Sequence, residues 1–317
     1  MGLVGPQAVK PGIAFSVAAL LCLSAASSGQ DTTIRVNVRL VRSLVTVKDQ
    51  NGALIGSLNK EDFTVLDNGV RQDIAVFERQ TEQPLSIALM LDTSASVGIE
   101  LRYELDSAAK FLKALVSEGN PEDAAALYTF DWQTTLLRSF TRRYSLLEQA
   151  LGKVRTSGGT SLYDAIYLVS RELEDRNGRH VIVIVTDGGD TTSSKDFHEA
   201  LESAQRADAI MYPIVVIPIT NGAGRNVGGE NALTTLSAGT GGRVFRPSSA
   251  AELDRAFEDI LHELRTQYLI GFYPQNVPAT KDRYHTLRVT LPNRSLRVIT
   301  RSGYYGDSDA PRGFGRP

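Results

Sequence analysis

The sequence predicts an α/β protein in which a doubly wound, mainly parallel sheet is inserted into a discontinuous β-sandwich. Three observations carry this. Between residues 84 and 265, short apolar runs alternate with apolar stripes at helical spacing, the pattern of a parallel sheet covered on both faces. One run, Val181-Ile182-Val183-Ile184-Val185, is apolar without interruption, as a strand buried on both sides requires. The flanks, residues 31–83 and 266–305, alternate with period two instead. Neither flank has enough strands to bury a face alone, whereas together they make about seven, the size of a small sandwich.

The first thirty residues stand apart. Lys10 is their only charge, and the apolar run 13–26 leads into the small residues of 24–29, the arrangement of a cleaved signal peptide. The run is shorter than the roughly 20 residues of a membrane span. Residues 1–30 therefore predict an exported chain, periplasmic, cell-surface or secreted, with no membrane span after cleavage. Cys22 follows Leu21, where a lipid-anchor signal wants a small residue. Cleavage removes Lys10 and the single cysteine and takes the formal charge from −2 to −3, so the mature chain rests on its core rather than on disulfides. With 34 basic and 36 acidic residues, the balance gives no reason to expect nucleic acid or an anionic membrane as partner.

In order, Ile34, Val36, Val38 and Leu40 alternate with Arg35, Asn37 and Arg39 in a first strand. The phase breaks at 41–43 and resumes at Val45 and Val47, predicting a bulge or a new strand. Asp49-Gln50-Asn51-Gly52 is a turn, and residues 63–66 and 74–77 read as a hairpin closed by Asp67-Asn68-Gly69. After Gln83-Pro84, the run 87–91 is the first strand of the α/β section. Leu101, Leu105, Ala108, Leu112 and Leu115 stripe a helix that Asn120-Pro121 ends. A buried strand follows at 124–130 and an edge strand at 134–140, then helices at 146–154 and 162–173. Strand 180–186, helix 195–207, strand 210–217, a short helix at 231–238 and a last strand at Val244-Phe245 come next. The final helix, 252–264, is striped by Leu253, Phe257, Ile260 and Leu264. Strands return at 267–273, at Leu287, Val289 and Leu291, and at 297–300. Residues 306–317 are Gly, Pro and charge, the composition of a disordered tail.

Open α/β sheets bind ligands in the crevice at the carboxyl ends of their strands. Three predicted loops there carry oxygen ligands: Asp92-x-Ser94-x-Ser96, then Gly158-Gly159-Thr160, then Asp187 in Thr186-Asp187-Gly188-Gly189. Each alone reads better as a helix cap or a turn. As a set they offer two carboxylates and neutral hydroxyls, the hard oxygens that a small divalent cation takes. Their order and contexts resemble the metal-ion-dependent adhesion site of von Willebrand factor type A domains, a resemblance covering residues 84–265. It implies that Ser94 and Ser96 bind metal directly, Thr160 when a ligand carboxylate is present, and Asp92 and Asp187 partly through water. It further implies Mg²⁺, with Mn²⁺ or Ca²⁺ as alternatives, and a protein or surface polymer that offers a carboxylate to the metal. Relatives open the site by moving the last helix, which here runs through Arg265 almost directly into the strand at Gln267. A shift of that helix would thus tilt the sandwich. Val97-Gly98-Ile99 stands where some integrin subunits carry further acids, so no adjacent second metal is expected. The flanks, with Lys60-Glu61-Asp62-Phe63-Thr64-Val65, Gln267-Tyr268-Leu269-Ile270-Gly271-Phe272-Tyr273-Pro274 and Arg301-Ser302-Gly303-Tyr304-Tyr305, resemble an exported bacterial family carrying this domain, described largely from acidobacteria.

Other chemistry finds little support. Asp131 and Asp190 read as solvated loop carboxylates, and His180, His198, His262 and His285 as scattered packing or surface residues. The glycines of 222–228 miss a dinucleotide fingerprint by one position and read as a flexible loop. There is no GxSxG, P-loop or HExxH. The sequence thus predicts a noncatalytic exported binding module. A metal-assisted hydrolase, which would lack a general base, and a scaffold with an unused metal site are the alternatives.

Overall fold

The computed structural model describes residues 2, 40–79, 82–94, 101–216, 226–278, 280 and 283–306. All but Leu40 of the expected strand at 34–40, the tail after 306 and all but Gly2 of the signal segment lie outside these residues. The first strand described is β1 (Val41–Lys48). A 3-10 turn at Lys60–Asp62 leads to β2 (Thr64–Asp67), β3 (Val70–Gln72) and β4 (Ile74–Glu78). The α/β section runs β5 (Leu85–Asp92), α1 (Leu101–Glu118), β6 (Ala124–Phe130), β7 (Thr134–Thr141) and α2 (Tyr144–Leu151). It continues with α3 (Leu162–Leu173), β8 (Arg179–Thr186), α4 (Phe197–Arg206) and β9 (Ala209–Val215). Two helices close it, α5 (Val227–Thr240) and α6 (Ala250–Thr266). Then come β10 (Tyr268–Phe272), β11 (Tyr284–Thr290), β12 (Arg297–Ile299) and β13 (Gly303–Tyr305).

The central sheet has the order β7-β6-β5-β8-β9 and is parallel except for its edge strand β7. Every residue of β5, β6, β8 and β9 is buried, because helices cover both faces. On one face Leu89 and Tyr212 pack with Phe111, Leu112, Phe257 and Ile260 from α1 and α6. On the other, Met90 and Ile184 pack with Ile166, Ala204 and Leu233 from α3, α4 and α5. Each such large side chain taken from water contributes about 1.5–3 kcal/mol.

The flanking strands form two four-stranded antiparallel sheets, β12-β1-β10-β4 and β13-β11-β2-β3. Val45, Ile270 and Phe272 of the first share a core with Val65, Leu287, Val289 and Tyr304 of the second. Both flanks are needed for either sheet, as the sequence predicts. The pairing differs in one respect: residues 64–67 turn through Asn68 (φ 47°) and Gly69 (φ 82°) to pair with β3, while β4 crosses to the other sheet and pairs with β10. Gln72 holds the crossing point, donating from Nε2 to the carbonyls of Val70 and Gln275 and accepting at Oε1 from the Gln275 N–H at 2.8 Å.

Two further expectations are corrected. Val244-Phe245 is no strand; Phe245 alone bridges Ile214. Phe245 N–H donates to the Pro213 carbonyl at 2.8 Å and its carbonyl accepts from the Val215 N–H at 2.9 Å, but Pro213 has no N–H to extend the ladder towards Arg243. α5 begins four residues before its predicted start, at Val227, because Asn226 caps it by accepting from the Gly229 N–H at 2.8 Å.

The last helix meets the sandwich through polar contacts. Glu263, fully buried, accepts from Lys48 Nζ of β1 at 2.8 Å, Arg243 Nε at 2.9 Å and Tyr212 Oη at 3.3 Å. Arg179 donates to the carbonyls of Leu264 and Gln83, and Gln267 donates to Thr46 Oγ1 at 3.1 Å.

Candidate metal centre

Strand order reverses between β5 and β8: the chain steps from β5 to β6 on one side and from β8 to β9 on the other. The crevice at such a switch point is where open α/β sheets take ligands. Asp92 is the last residue of β5, and Asp187 follows the last residue of β8. The register pairs Leu91 with Val185, which sets Asp92 beside Thr186.

Asp92 is wholly buried. Its Oδ2 accepts from Thr186 Oγ1 at 2.6 Å and its Oδ1 from the Ser94 N–H at 2.9 Å. Burial, opposed by the bonds from Thr186 and Ser94 and aided by the nearby Asp187 charge, pushes its carboxyl up to about 6. Thr186 Oγ1 also accepts from the Gly188 N–H at 3.1 Å, and Asp187 Oδ1 from the Gly189 N–H at 3.2 Å. These short bonds fold the loop after β8 back over the strand ends.

Thr160 lies on a loop stitched to both others. The Ser157 N–H donates to the Thr93 carbonyl at 2.7 Å, and the Thr191 and Thr192 N–H groups donate to the Thr160 carbonyl at 2.8 and 3.1 Å. Gly159 has φ +76°, and a Cβ there would stand 3.1 Å from Trp132 Cβ, so glycine suits this crossing. The structure thus gathers Asp92, Ser94, Thr160 and Asp187 onto three interlocked loops. Ser96 lies outside the described residues.

Four neighbours have roles that the sequence reading did not assign them. Thr186 reads as a strand end, yet it is the hydroxyl that holds Asp92. Asp190 is no solvated carboxylate: half-buried, it caps α3 by accepting from the Leu162 N–H at 2.8 Å, and it also accepts from Ser193 Oγ of its own loop at 2.6 Å. Asp131 is likewise half-buried and closes its own turn on the Gln133 N–H at 3.0 Å. Trp132, the single tryptophan, is 59% exposed, and its backbone N–H donates to the Gly158 carbonyl at 3.2 Å. A large apolar ring left in water beside the crevice is a ready contact surface.

Among the described residues, no group of three or more His, Cys, Asp or Glu side chains could hold a metal ion. A cation here would therefore be held by two carboxylates and hydroxyls. That donor set fits Mg²⁺, which takes few carboxylates and keeps waters.

The loop after β8 also depends on α5. A Cβ on Gly229 would stand 1.5 Å from the Gly188 carbonyl oxygen, whereas one on Gly228 meets nothing nearer than Asn226 Oδ1 at 3.5 Å. Gly229→Ala is expected to lower stability by about 1–3 kcal/mol through overpacking, and Gly228→Ala to leave it unchanged or raised by up to about 1 kcal/mol. Urea unfolding of the two variants checks this.

Among solved structures, the chain is similar to the PilB minor pilin from Streptococcus sanguinis, with a TM-score of 0.47 and 13% identity over 60% of this chain and 63% of that one. It thus spans less than two thirds of the pilin. It is also similar to the vWF domain of the type V pili tip protein Mfa5 from Porphyromonas gingivalis (TM-score 0.47, 14% identity, 57% of this chain and 95% of that one). An aerotolerance-related membrane protein from Bacteroides fragilis matches with a TM-score of 0.44 and 19% identity over 57% of this chain and 98% of that one. No curated protein matches it. Residues 87–189, which contain all five expected ligand positions, match the family model of the von Willebrand factor type A domain, and the central sheet with helices on both faces is the α/β fold of that domain.

Proposed function

We propose that this chain is an exported, noncatalytic module that binds an acidic group on a protein or surface polymer through a divalent cation. Asp92, Ser94, Ser96, Thr160 and Asp187 would hold the ion, Mg²⁺ by the chemistry of the donor set. When bound, the ion supplies an electrophilic centre for a ligand carboxylate. The observation that carries the reading is Asp92: a carboxylate buried at the switch point, oriented by two hydrogen bonds, with a second carboxylate close by. Burying such a charge is unfavourable unless a cation offsets it. The chain's own residues orient the set: Thr186 fixes Asp92, the Gly189 N–H fixes Asp187, and Thr191 and Thr192 anchor the Thr160 backbone. Trp132 would supply apolar contact to a ligand at the rim. Export rests on residues 1–30; no helix of the described residues is long and apolar enough to cross a membrane.

Calorimetric titration of Mg²⁺ into wild type and Asp92→Ala, followed by screening an immobilised library of acidic peptides with Mg²⁺ or EDTA, tests this. Saturable Mg²⁺ binding lost in the variant, and a gain in peptide capture on adding Mg²⁺ that the variant lacks, are expected. No Mg²⁺ heat in wild type, or the same gain in wild type and variant, would overturn the reading.

A further inference from the structure

A second candidate site lies away from the strand ends. A groove of about 790 Å³ runs between the C-terminal half of α5 and the sandwich, floored by parts of β11 and β12. Among the described residues, five arginines line it, Arg243, Arg246, Arg288, Arg297 and Arg301, and no aspartate or glutamate does. In a chain with more acidic than basic residues, composition does not account for such a cluster.

Three of the five already have acidic partners set back from the groove. Arg243 pairs with Glu263, Arg246 with Glu230 and Arg301 with Asp208. Arg301 is also buried, and its Nε has no hydrogen-bond partner. Arg288 and Arg297 are exposed and form no ion pair among the described residues. They stand on strands of the two opposite sheets, β11 and β12, and both line the groove.

The wall of the groove supplies a further recognition element. β12 is the outermost strand of its sheet: it pairs with Thr46–Lys48 of β1 on one side, and no described strand pairs with the other. An open edge offers a row of backbone N–H and C=O groups to an incoming extended chain. Arginine beside it offers a planar fork of donors that carboxylates accept in pairs.

We propose that this groove binds an acidic polypeptide segment, which adds to β12 as an extended strand and places its carboxylates on Arg288 and Arg297. Charge alone would suit any polyanion. The edge of β12, which no described strand pairs, favours a peptide, whose backbone matches it and whose alternate side chains recur every two residues along one face. The site is independent of any metal, since its contacts come from arginine and backbone alone.

The test uses the full chain in EDTA and fluorescein-labelled hexaglutamate, read by fluorescence anisotropy. A second peptide is methylated on alternate backbone nitrogens, and a heparin-derived oligosaccharide competes. Arg288→Glu combined with Arg297→Glu is expected to weaken peptide binding by about tenfold or more, as loss of two charge-assisted contacts implies. Arg71→Glu, outside the groove, is expected to leave it unchanged, and circular dichroism of the double variant shows that it folds. The methylated peptide should also bind about tenfold more weakly, having lost its edge donors. Equal binding by the double variant would overturn the site. Equal binding by the methylated peptide, or tighter binding of the oligosaccharide, would overturn strand addition in favour of a polyanion surface. Because every arm is run in EDTA, failure here is distinct from failure of the metal reading.

Discussion

In EDTA at pH 7, Asp92→Asn is expected to be more stable than wild type by up to about 3 kcal/mol, and with saturating Mg²⁺ the order is expected to reverse. The first half follows from Asp92 alone. Its carboxyl is pushed from 3.8 to about 6 in the folded state, chiefly by burial. For an acid raised by folding, the protonated form is the one the fold favours. The penalty is therefore absent below pH 4, grows as pH rises through 6, and is constant above it. A shift of about two units corresponds to about 3 kcal/mol. Asparagine removes that penalty while keeping an acceptor for the Ser94 N–H. The second half follows from linkage: a cation bound only by the folded wild type adds about 2.7 kcal/mol at a hundred times its dissociation constant, and the variant cannot collect it. Urea unfolding at pH 4, 5.5 and 7, each with EDTA and with Mg²⁺, reads both. If the variant is no more stable than wild type in EDTA at pH 7, Asp92 carries no uncompensated charge, and the argument for a cation there fails.

The same residues show what a single sequence can and cannot carry. β8 and α3 were legible almost to the residue, because an uninterrupted Val/Ile run and a clean apolar stripe each have one structural reading. Asp92 and Asp187 were legible because the strand ends are. The sheet switch at Gln72 was not: turn chemistry sees only neighbours, while β4 finds its partner almost two hundred residues later, in β10. The start of α5 was hidden by Gly228 and Gly229, residues that signal a loop. Gly229 is required by a contact with the carbonyl of Gly188, which no local pattern contains. Thr186 and Asp190 act through tertiary hydrogen bonds, and the five groove arginines converge from residues 243 to 301 only once α5 and the two sheets are packed.

Glu263→Gln is expected to give the largest loss of stability of the changes considered, about 3–5 kcal/mol, because it breaks a buried charge network from its centre. Glu263 is fully buried, and around it Lys48 and Arg243 each spend a charge-assisted bond on Oε2, while Tyr212 reaches Oε1. Burial first, and the Glu263 charge second, hold the Tyr212 hydroxyl well above its ordinary range, so it stays a neutral donor. Glutamine keeps the shape but leaves the Lys48 ammonium, only 13% exposed, facing no counter-charge. The contrast is Lys110–Asp254, where the lysine is 67% exposed; breaking that pair is expected to cost about 0–1 kcal/mol. The position of Glu263 gives the loss its meaning. Lys48 belongs to β1, Tyr212 to β9 and Glu263 to the last turn of α6, three residues before that helix ends at Thr266 and five before β10 begins at Tyr268. Any shift of α6 must therefore either carry β1 with it or break these bonds. In Glu263→Gln, amide hydrogen exchange across residues 268–272 is expected to quicken together with that of α6, and Lys48→Met in the same chain should recover part of the lost stability by removing the stranded cation. A loss as small as that of the surface pair, with exchange in β10 unaltered, would show that apolar packing and Arg179 hold the joint, and that movement of the helix is not passed to the sandwich through Glu263.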